Sequence, residues 1–178
     1  MRAVVGLGNP GEEYATTRHN AGFLLADALA DHWRFPPFRR AERARATEGT
    51  ALDVPVRILK PTTFMNHSGA ALASLRADPA FTPSRDLLIL VDDFQIPLGT
   101  FRFRPEGSAG GHNGLKSIEG SLQSQQYARL RIGVGPLPEG VGDWADYVLA
   151  PFAAEERDQV ESLMPRMIEE VEKWLRSA

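Results

Sequence analysis

The segment that most constrains this chain is its first 23 residues, where a short apolar run leads into two clusters of glycine and polar residues. Residues 3–7 (AVVGL) have the composition of a buried strand, and residues 8–11 (GNPG) have the composition of a turn. His19 follows within residues 17–23 (TRHNAGF). We therefore expect a strand that brings an Asn and a His to one edge of a sheet, where a His is suited to proton transfer near neutral pH.

The same glycines allow another interpretation, because Gly6, Gly8 and Gly11 match the G-x-G-x-x-G pattern of dinucleotide-binding enzymes. That pattern also requires its last glycine to begin a helix and an acidic residue to end a second strand about 20 residues later. In this chain two glutamates follow Gly11, and residues 21–33 have a helical pattern instead. A dinucleotide enzyme is therefore the less favoured hypothesis.

Length and composition limit the classes of protein that need to be considered. A chain of 178 residues is long enough for one domain with a substantial core and short for two, so we expect a single domain over residues 1–178. The chain has no cysteine, which excludes disulfides, thiolate catalysis and thiolate metal sites. It also lacks a long apolar run and an N-terminal leader pattern. We expect a cytoplasmic protein that does not contact membranes.

The net charge of −3 conceals a segregation of charge along the chain. Residues 37–60 carry six basic and three acidic side chains, and residues 98–131 carry five basic and two acidic ones. Residues 139–178 carry ten acidic and four basic side chains. Such a distribution allows one face to attract phosphates although the protein is acidic overall, while ordinary solvated surface remains an alternative for any single run.

Apolar runs rich in Val and Ile alternate with helical patterns, which indicates an α/β fold with a mixed or largely parallel sheet covered by helices. The strand-like runs are residues 3–7, 54–59, 87–91, 98–103 and 130–134. Helices are expected after Asn66, from about Asn113, and over residues 160–175, where apolar side chains recur at three- and four-residue steps. Residues 135–142 are expected to form a loop.

Three further polar clusters interrupt this pattern, at residues 60–66 (KPTTFMN), 90–93 (LVDD) and 107–114 (GSAGGHNG). In parallel sheets, clusters at the carboxyl ends of strands converge on one crevice. The chain has neither a G-x-S-x-G serine motif nor histidines at the spacing of a helical zinc site. One His, one carboxylate and several Asn remain, a set suited to the attack of water on a carbonyl.

Each of these residues also has a purely structural alternative. His19 alone is more often a hydrogen-bonded structural residue, and Asn9 and Asn66 have the preferences of turn and helix-cap residues. Asp92 and Asp93 could solvate the end of a strand, and residues 107–114 could form an ordinary loop. Only the combination of the clusters favours a catalytic site.

Taken in order along the chain, these clusters resemble the bacterial peptidyl-tRNA hydrolase family. The similarity runs from about residue 2 to residue 152 and rests on residues 6–11 (GLGNPG), 17–23 (TRHNAGF), 60–66 (KPTTFMN), 92–93 (DD) and 110–116 (GGHNGLK). The resemblance implies a single α/β domain with a twisted, mixed and largely parallel sheet between α-helices. It also implies a monomeric, metal-independent and cofactor-independent carboxylic ester hydrolase that cleaves the ester between a peptide and the terminal ribose of tRNA, and so recycles tRNA from stalled translation.

The resemblance also assigns roles to individual residues. His19 would be the catalytic base and Asp92 the carboxylate that orients it. The residues implied to bind the substrate are Asn9, Tyr14, Phe64, Met65, Asn66, Gly110, His112 and Asn113, with the three asparagines binding the peptide backbone and ordering the water or the oxyanion. Arg102, Arg104 and Arg131 would contact tRNA phosphates, and neither DNA nor a metal ion is an expected partner.

The chain departs from the family pattern at a few positions. Val91 and Gln95 stand where the family often has His and Asp, and residues 136–142 lack a lysine that many members carry. A phosphate site without that lysine would rest on arginines, which bind phosphate through two parallel N–H groups. A non-catalytic RNA-binding relative of the same fold is the alternative function, although a pure binder has no need for His19 and Asp92.

Overall fold

Residues 1–140 and 142–177 are described by a computed structural model in which seven strands form one mixed sheet. The strands are β1 (Arg2–Gly6), β2 (Arg39–Ala41), β3 (Ala44–Ala51), β4 (Val54–Pro61), β5 (Leu87–Pro97), β6 (Phe101–Arg104) and β7 (Ala128–Gly135). Their order across the sheet is β2-β3-β4-β1-β5-β7-β6. The four central strands are parallel, whereas β2, β3 and β6 pair antiparallel at the two edges. The predicted α/β fold is confirmed.

In the part of the chain that the structure describes, six α-helices and three 3-10 segments lie between the strands or follow the last of them. The α-helices are α1 (Ala21–His32), α2 (Ala73–Arg76), α3 (Pro83–Asp86), α4 (Asn113–Leu122), α5 (Trp144–Leu149) and α6 (Ala154–Arg176), and the 3-10 segments are Glu12–Tyr14, Arg18–Asn20 and Met65–Leu72. The helices predicted near Asn113 and over residues 160–175 are present as α4 and α6. The helix predicted after Asn66 is a 3-10 segment that continues into α2. Within the described residues, no helix is both long and apolar enough to cross a membrane.

Helices cover both faces of the sheet, which explains why its central strands are continuously apolar. On β1, Val4 faces one core layer together with α1 and α6. Ala3 and Val5 face the opposite layer, which contains the segment Met65–Leu72 and α4. All three side chains are fully buried, as the two-residue period of a strand between two layers requires.

Two glycines allow the first turn of α1 to approach the ends of β1 and β5 very closely. A Cβ atom on Gly6 would lie 2.4 Å from the carbonyl oxygen of Gly22, and one on Gly22 would lie 2.4 Å from the carbonyl oxygen of Leu90. Gly6, the first glycine of the N-terminal motif, therefore serves helix–strand packing. Gly11 is followed by a three-residue 3-10 segment instead of the long helix of a dinucleotide site, so the fold does not support that hypothesis.

Candidate active site

The polar clusters of the sequence meet above the carboxyl ends of β1 and β5. The 3-10 segment Arg18–Asn20 places His19 over the end of β5, and β5 itself carries Asp92. His112 precedes α4 and reaches Asp92 from the other side. Leu7 N donates to Leu90 O over 2.9 Å, which extends the pairing of β1 and β5 to this edge. The site is thus built on the rigid centre of the sheet.

His19, Asp92 and His112 form a buried hydrogen-bonded set, named here the His–Asp–His cluster. His19 Nδ1 lies 2.8 Å from Asp92 Oδ2, and His112 Nε2 lies 2.9 Å from Asp92 Oδ1. The Asp92 side chain is 1% exposed, and those of the two histidines are 7% and 10% exposed. Each carboxylate oxygen therefore has its own imidazole partner, and the predicted contact between His19 and Asp92 is present.

Backbone contacts determine where the protons of this cluster lie. His112 Nδ1 accepts from the backbone N–H groups of Gly114 and Leu115, at 3.0 and 3.3 Å, so its proton is on Nε2 and is donated to Asp92. The second carboxylate oxygen accepts from Nδ1 of His19, which leaves the Nε2 lone pair of His19 available. Nε2 has no hydrogen-bond partner among the described residues. His19 is therefore held in the tautomer that can accept a proton from a bound water.

Asp92 remains ionised in this environment. Burial opposes its ionisation, but electrostatic attraction to His19 and His112 and the hydrogen bonds from both rings outweigh it, so the pKa of Asp92 lies well below its usual range. An ionised carboxylate next to His19 both orients the imidazole and stabilises the imidazolium that forms on proton transfer.

Asn9 connects the end of β1 to the second half of the site. Its Oδ1 accepts from the backbone N–H of Met65 over 2.7 Å. Because the side-chain oxygen is used in this way, the Nδ2 group of Asn9 is left as a hydrogen-bond donor. Its backbone N–H donates to Asn20 Oδ1 over 2.8 Å, and Asn20 Nδ2 donates to Asn9 O over 2.9 Å. Asn20 is 2% exposed and was not among the predicted site residues, although it follows His19 directly.

Two adjoining cavities share His19. The larger, of about 330 Å³, is bounded by Asn9, His19, Phe64, Met65, Asn66, Asn113, Trp144, Ala145, Val148 and Leu149. The smaller is bounded by His19, Asp92, Asp93, Phe94, Gly110, His112, Arg131, Trp144 and Val148. Seven of the eight residues predicted to bind the substrate thus border these cavities. His19 lies between a side rich in amides and apolar groups and a charged side.

The eighth residue, Tyr14, lies at the rim of the larger cavity, where its ring meets that of Phe64 edge to face at a centroid distance of 6.2 Å. Phe64 is 49% exposed, with φ and ψ of 62° and 156°. This backbone region is almost confined to glycine, and residues held there cluster at ligand sites.

Helix α5, which the sequence did not reveal, forms the outer wall of both cavities. Arg18 anchors it: Nη1 donates to Tyr147 O over 3.1 Å, Nη2 donates to Glu156 over 2.8 Å, and the guanidinium lies 4.1 Å from the Tyr147 ring centroid. Since Arg18 precedes His19, the wall and the imidazole are attached to the same 3-10 segment. Asp143 caps the N-terminus of α5 by accepting from the backbone N–H of Ala145. As a preferred N-cap residue, Asp143 is the sequence signal that could have revealed this helix.

The three arginines predicted to contact phosphates lie at the β6–β7 edge, where cross-strand pairs share a face of the sheet. Arg102 is opposite Arg131 and Arg104 is opposite Arg129; these four residues are named the arginine edge. Arg102 and Arg104 are exposed. The Arg131 side chain is 15% exposed, and its Nη1 lies 3.5 Å from Asp93. Cations placed directly opposite each other repel, so this arrangement favours an anionic partner.

Arg129 is a fully buried member of the arginine edge that sequence reasoning did not identify. Its guanidinium donates to the carbonyl oxygens of Ser108, Gln125 and Tyr127 and lies 4.0 Å from the Tyr127 ring centroid. Arg131 Nη2 also donates to Ser108 O, over 2.7 Å. Two arginines therefore hold the loop before His112, and Arg131 has a structural contact besides its predicted role.

The His–Asp–His cluster is also the group that the described residues offer as potential metal ligands, with donor atoms within 4.8 Å of one another. Its N–O separations of 2.8 and 2.9 Å are hydrogen-bond lengths. Ligands around a tetrahedral zinc ion with bonds of about 2.0–2.2 Å stand roughly 3.3 Å apart. His112 moreover uses the proton on Nε2 to reach Asp92, so this geometry fits proton transfer better than metal binding.

A family model described as peptidyl-tRNA hydrolase matches residues 3–178 of the chain. The chain belongs to the peptidyl-tRNA hydrolase family. It is 45% identical over 177 residues to the peptidyl-tRNA hydrolase of Gemmatimonas aurantiaca, covering 98% of this chain and 93% of that protein. It is also 45% identical to the enzyme named peptidyl-tRNA hydrolase in Gloeobacter violaceus, with 98% and 88% covered.

Solved structures of the family agree with the fold described above. The crystal structure of peptidyl-tRNA hydrolase from Acinetobacter baumannii superposes with a TM-score of 0.88 at 32% identity, covering 97% of this chain and 87% of that one. A complex of peptidyl-tRNA hydrolase with N-propanol gives a TM-score of 0.90 at 31% identity, with 99% and 89% covered. The family resemblance predicted from the motifs is confirmed.

Proposed function

We propose that this protein hydrolyses the ester bond of peptidyl-tRNA, releasing the peptide and free tRNA. The observation that carries the proposal is the position of His19 Nε2, a proton acceptor oriented by Asp92 at the junction of two cavities. The arrangement belongs to a chain of the peptidyl-tRNA hydrolase family. As a reaction class this is carboxylic ester hydrolysis, and the cluster supplies the base that such a reaction needs.

The chemistry follows from the atoms that border the larger cavity. His19 Nε2 accepts a proton from water as the water oxygen attacks the ester carbonyl, and Asp92 stabilises the imidazolium. The amide groups of Asn9, Asn66 and Asn113 are the donors near the developing oxyanion. The tetrahedral intermediate then breaks its bond to the ribose oxygen, which takes the proton back from His19 and leaves as a hydroxyl. No electron transfer or cofactor is required by this scheme.

The two cavities suggest how the substrate is oriented. The larger is bordered by Met65, Val148 and Leu149 together with asparagine amides, which suits a peptide with varied side chains. The smaller, of about 10 Å³, has room for about one water molecule, but Arg131 at its border adjoins the arginine edge, which suits the phosphates of tRNA. The proposed substrate thus lies across His19 with its ester at the junction.

A non-catalytic RNA-binding protein is the alternative, and the His–Asp–His cluster weighs against it. Binding of RNA needs cations and stacking surfaces, whereas a buried carboxylate with an imidazole on each oxygen adds nothing to it. The notions that the protein acts in the cytoplasm, as a single domain and as a monomer remain predictions.

A turnover assay tests the proposal. The protein is incubated with N-acetyl-aminoacyl-tRNA, with and without a metal chelator, and the release of deacylated tRNA is measured over many turnovers. We expect multiple turnovers that the chelator does not slow. Binding of the substrate without any release would support the non-catalytic alternative, and loss of activity that added metal restores would overturn the metal-independent scheme.

A further inference from the structure

We infer that His112 is a positioning residue for the reaction, because the N-terminus of α4 fixes its tautomer and thereby the carboxylate that orients His19. The hydrogen bonds of this relay are geometry alone, whereas its effect on catalysis rests on the proposed function. It differs from the role in substrate binding that the family resemblance implies for His112. The relay runs from two backbone N–H groups through His112 and Asp92 to the reacting imidazole.

The first step of the relay is the cap of α4. His112 is the N-cap residue of this ten-residue helix, a position usually held by Ser, Thr, Asp or Asn. Its Nδ1 replaces their oxygen as the acceptor for Gly114 N and Leu115 N. A ring nitrogen that accepts two N–H groups cannot carry a proton. The cap therefore places the proton of His112 on Nε2.

The second step is the effect of that proton on Asp92. The Nε2–H group donates to Oδ1 and prevents the carboxylate from rotating, so that Oδ2 faces Nδ1 of His19. The negative charge of Asp92 then stabilises the imidazolium that forms on His19 during proton transfer.

The two contacts of His112 can be separated by substitution. His112→Asn keeps a side-chain oxygen that caps α4, since Asn is among the best N-cap residues, but its side chain is too short to reach Asp92. His112→Ala removes both contacts. Ser117→Ala is the matched control. Ser117 is on the same helix as the cap, its Oγ accepts from the backbone N–H of Gly69 in the segment Met65–Leu72, and it lies outside both cavities.

The experiment combines thermal unfolding, steady-state kinetics on N-acetyl-aminoacyl-tRNA and nitrogen-15 spectra of the imidazoles at pH 7. We expect His112→Asn to keep a Tm close to that of the parent and an unchanged KM. Its kcat should fall roughly tenfold, the size of effect that one hydrogen bond to a charged group has. His112→Ala should show the same fall in kcat and should also unfold at a lower temperature. Ser117→Ala should retain the kcat of the parent.

The spectra distinguish the relay from a purely structural cap. In the parent protein, His112 should carry its proton on Nε2 and His19 should carry it on Nδ1, whereas His112→Asn should give His19 a mixture of tautomers. Full kcat in His112→Asn would reduce His112 to a helix cap, and a proton on Nδ1 of His112 in the parent would overturn the relay. Because the spectra need no substrate, they test the inference even if the parent fails to hydrolyse peptidyl-tRNA, which would refute the proposed function alone.

Discussion

In the His–Asp–His cluster the charge of Asp92 has two partners and almost no exposure, whereas at the arginine edge like charges lie opposite each other and two of them face solvent. The first arrangement is complete before any substrate arrives, whereas the exposed Arg102 and Arg104 of the second are stabilised further when an anion joins them. We propose that this difference reflects a division of labour, in which the cluster acts in the transition state and the edge contributes binding that is equal in ground and transition states.

The largest effect should come from removing the base. His19→Ala should lower kcat by at least ~10²-fold, because water then loses its proton acceptor in the transition state. The affinity for tRNA should remain close to that of the parent, since the arginine edge is unchanged. Single-turnover kinetics and a binding titration check this expectation, and activity within a few-fold of the parent would remove His19 from the role of base.

Asp92→Asn should have the next largest effect, through the tautomer of His19. The amide offers one acceptor and one donor, and His112, whose Nδ1 is occupied by the cap of α4, requires the acceptor. His19 then faces the amide N–H with Nδ1, so its proton moves to Nε2 and the base is lost. We expect kcat to fall about 10²-fold or more with little change in KM. Imidazole spectra that still show the proton on Nδ1 of His19 would contradict this explanation.

The same substitution should change how stability depends on pH. The pKa of Asp92 is lowered by folding from its ordinary value of 3.8, so the unfolded chain binds more protons than the folded one as the pH falls below about 4. The stabilisation by Asp92 is therefore present above that pH and is lost as the pH decreases. Urea denaturation at pH 6 and pH 3 should show a steeper loss of unfolding free energy in the parent than in Asp92→Asn. Equal losses would mean that Asp92 is not stabilised in its ionised form.

The smallest effect should come from single arginines. Arg104→Ala should weaken tRNA binding and reduce the slope of log affinity against log salt by roughly one unit, as expected for the loss of one phosphate contact. Arg166→Ala, on helix α6, removes an equal charge from the other face of the sheet, where Arg166 lies over the Phe101 ring, and serves as the control. A salt slope that is the same in both variants would place tRNA elsewhere on the surface.

The two regions also differ in how far the sequence predicted them. His19 and Asp92 could be recognised because glycine-containing turns and strand ends place short polar motifs at one edge of a parallel sheet. Arg129 could not, because a buried guanidinium that binds three carbonyl oxygens is indistinguishable in sequence from an exposed one. Asn20 was missed for a similar reason, since its partner is the backbone of Asn9.

Among the secondary-structure elements, the misses occurred where local patterns are weak. β2, at the edge of the sheet, and β3, next to it, are rich in Ala, Arg and Thr, so they lack the apolar run that revealed the central strands. α5 has only six residues, too few to show a helical period, and its packing depends on Arg18 from a distant part of the chain. The loop predicted over residues 135–142 is tested only in part, because Val141 lies outside the described residues.

The separation between the His–Asp–His cluster and the arginine edge is tested most directly with a short substrate, a peptide esterified to a single nucleotide. The double variant Arg102→Ala/Arg104→Ala and the single variant Asp92→Asn are compared with the parent on this ester and on full-length peptidyl-tRNA. We predict that the arginine variant loses kcat/KM on peptidyl-tRNA and keeps the kcat/KM of the parent on the short ester, whereas Asp92→Asn loses it on both. Equal losses of the arginine variant on the two substrates would contradict the division, and would assign those arginines to the fold or to the cavity around His19.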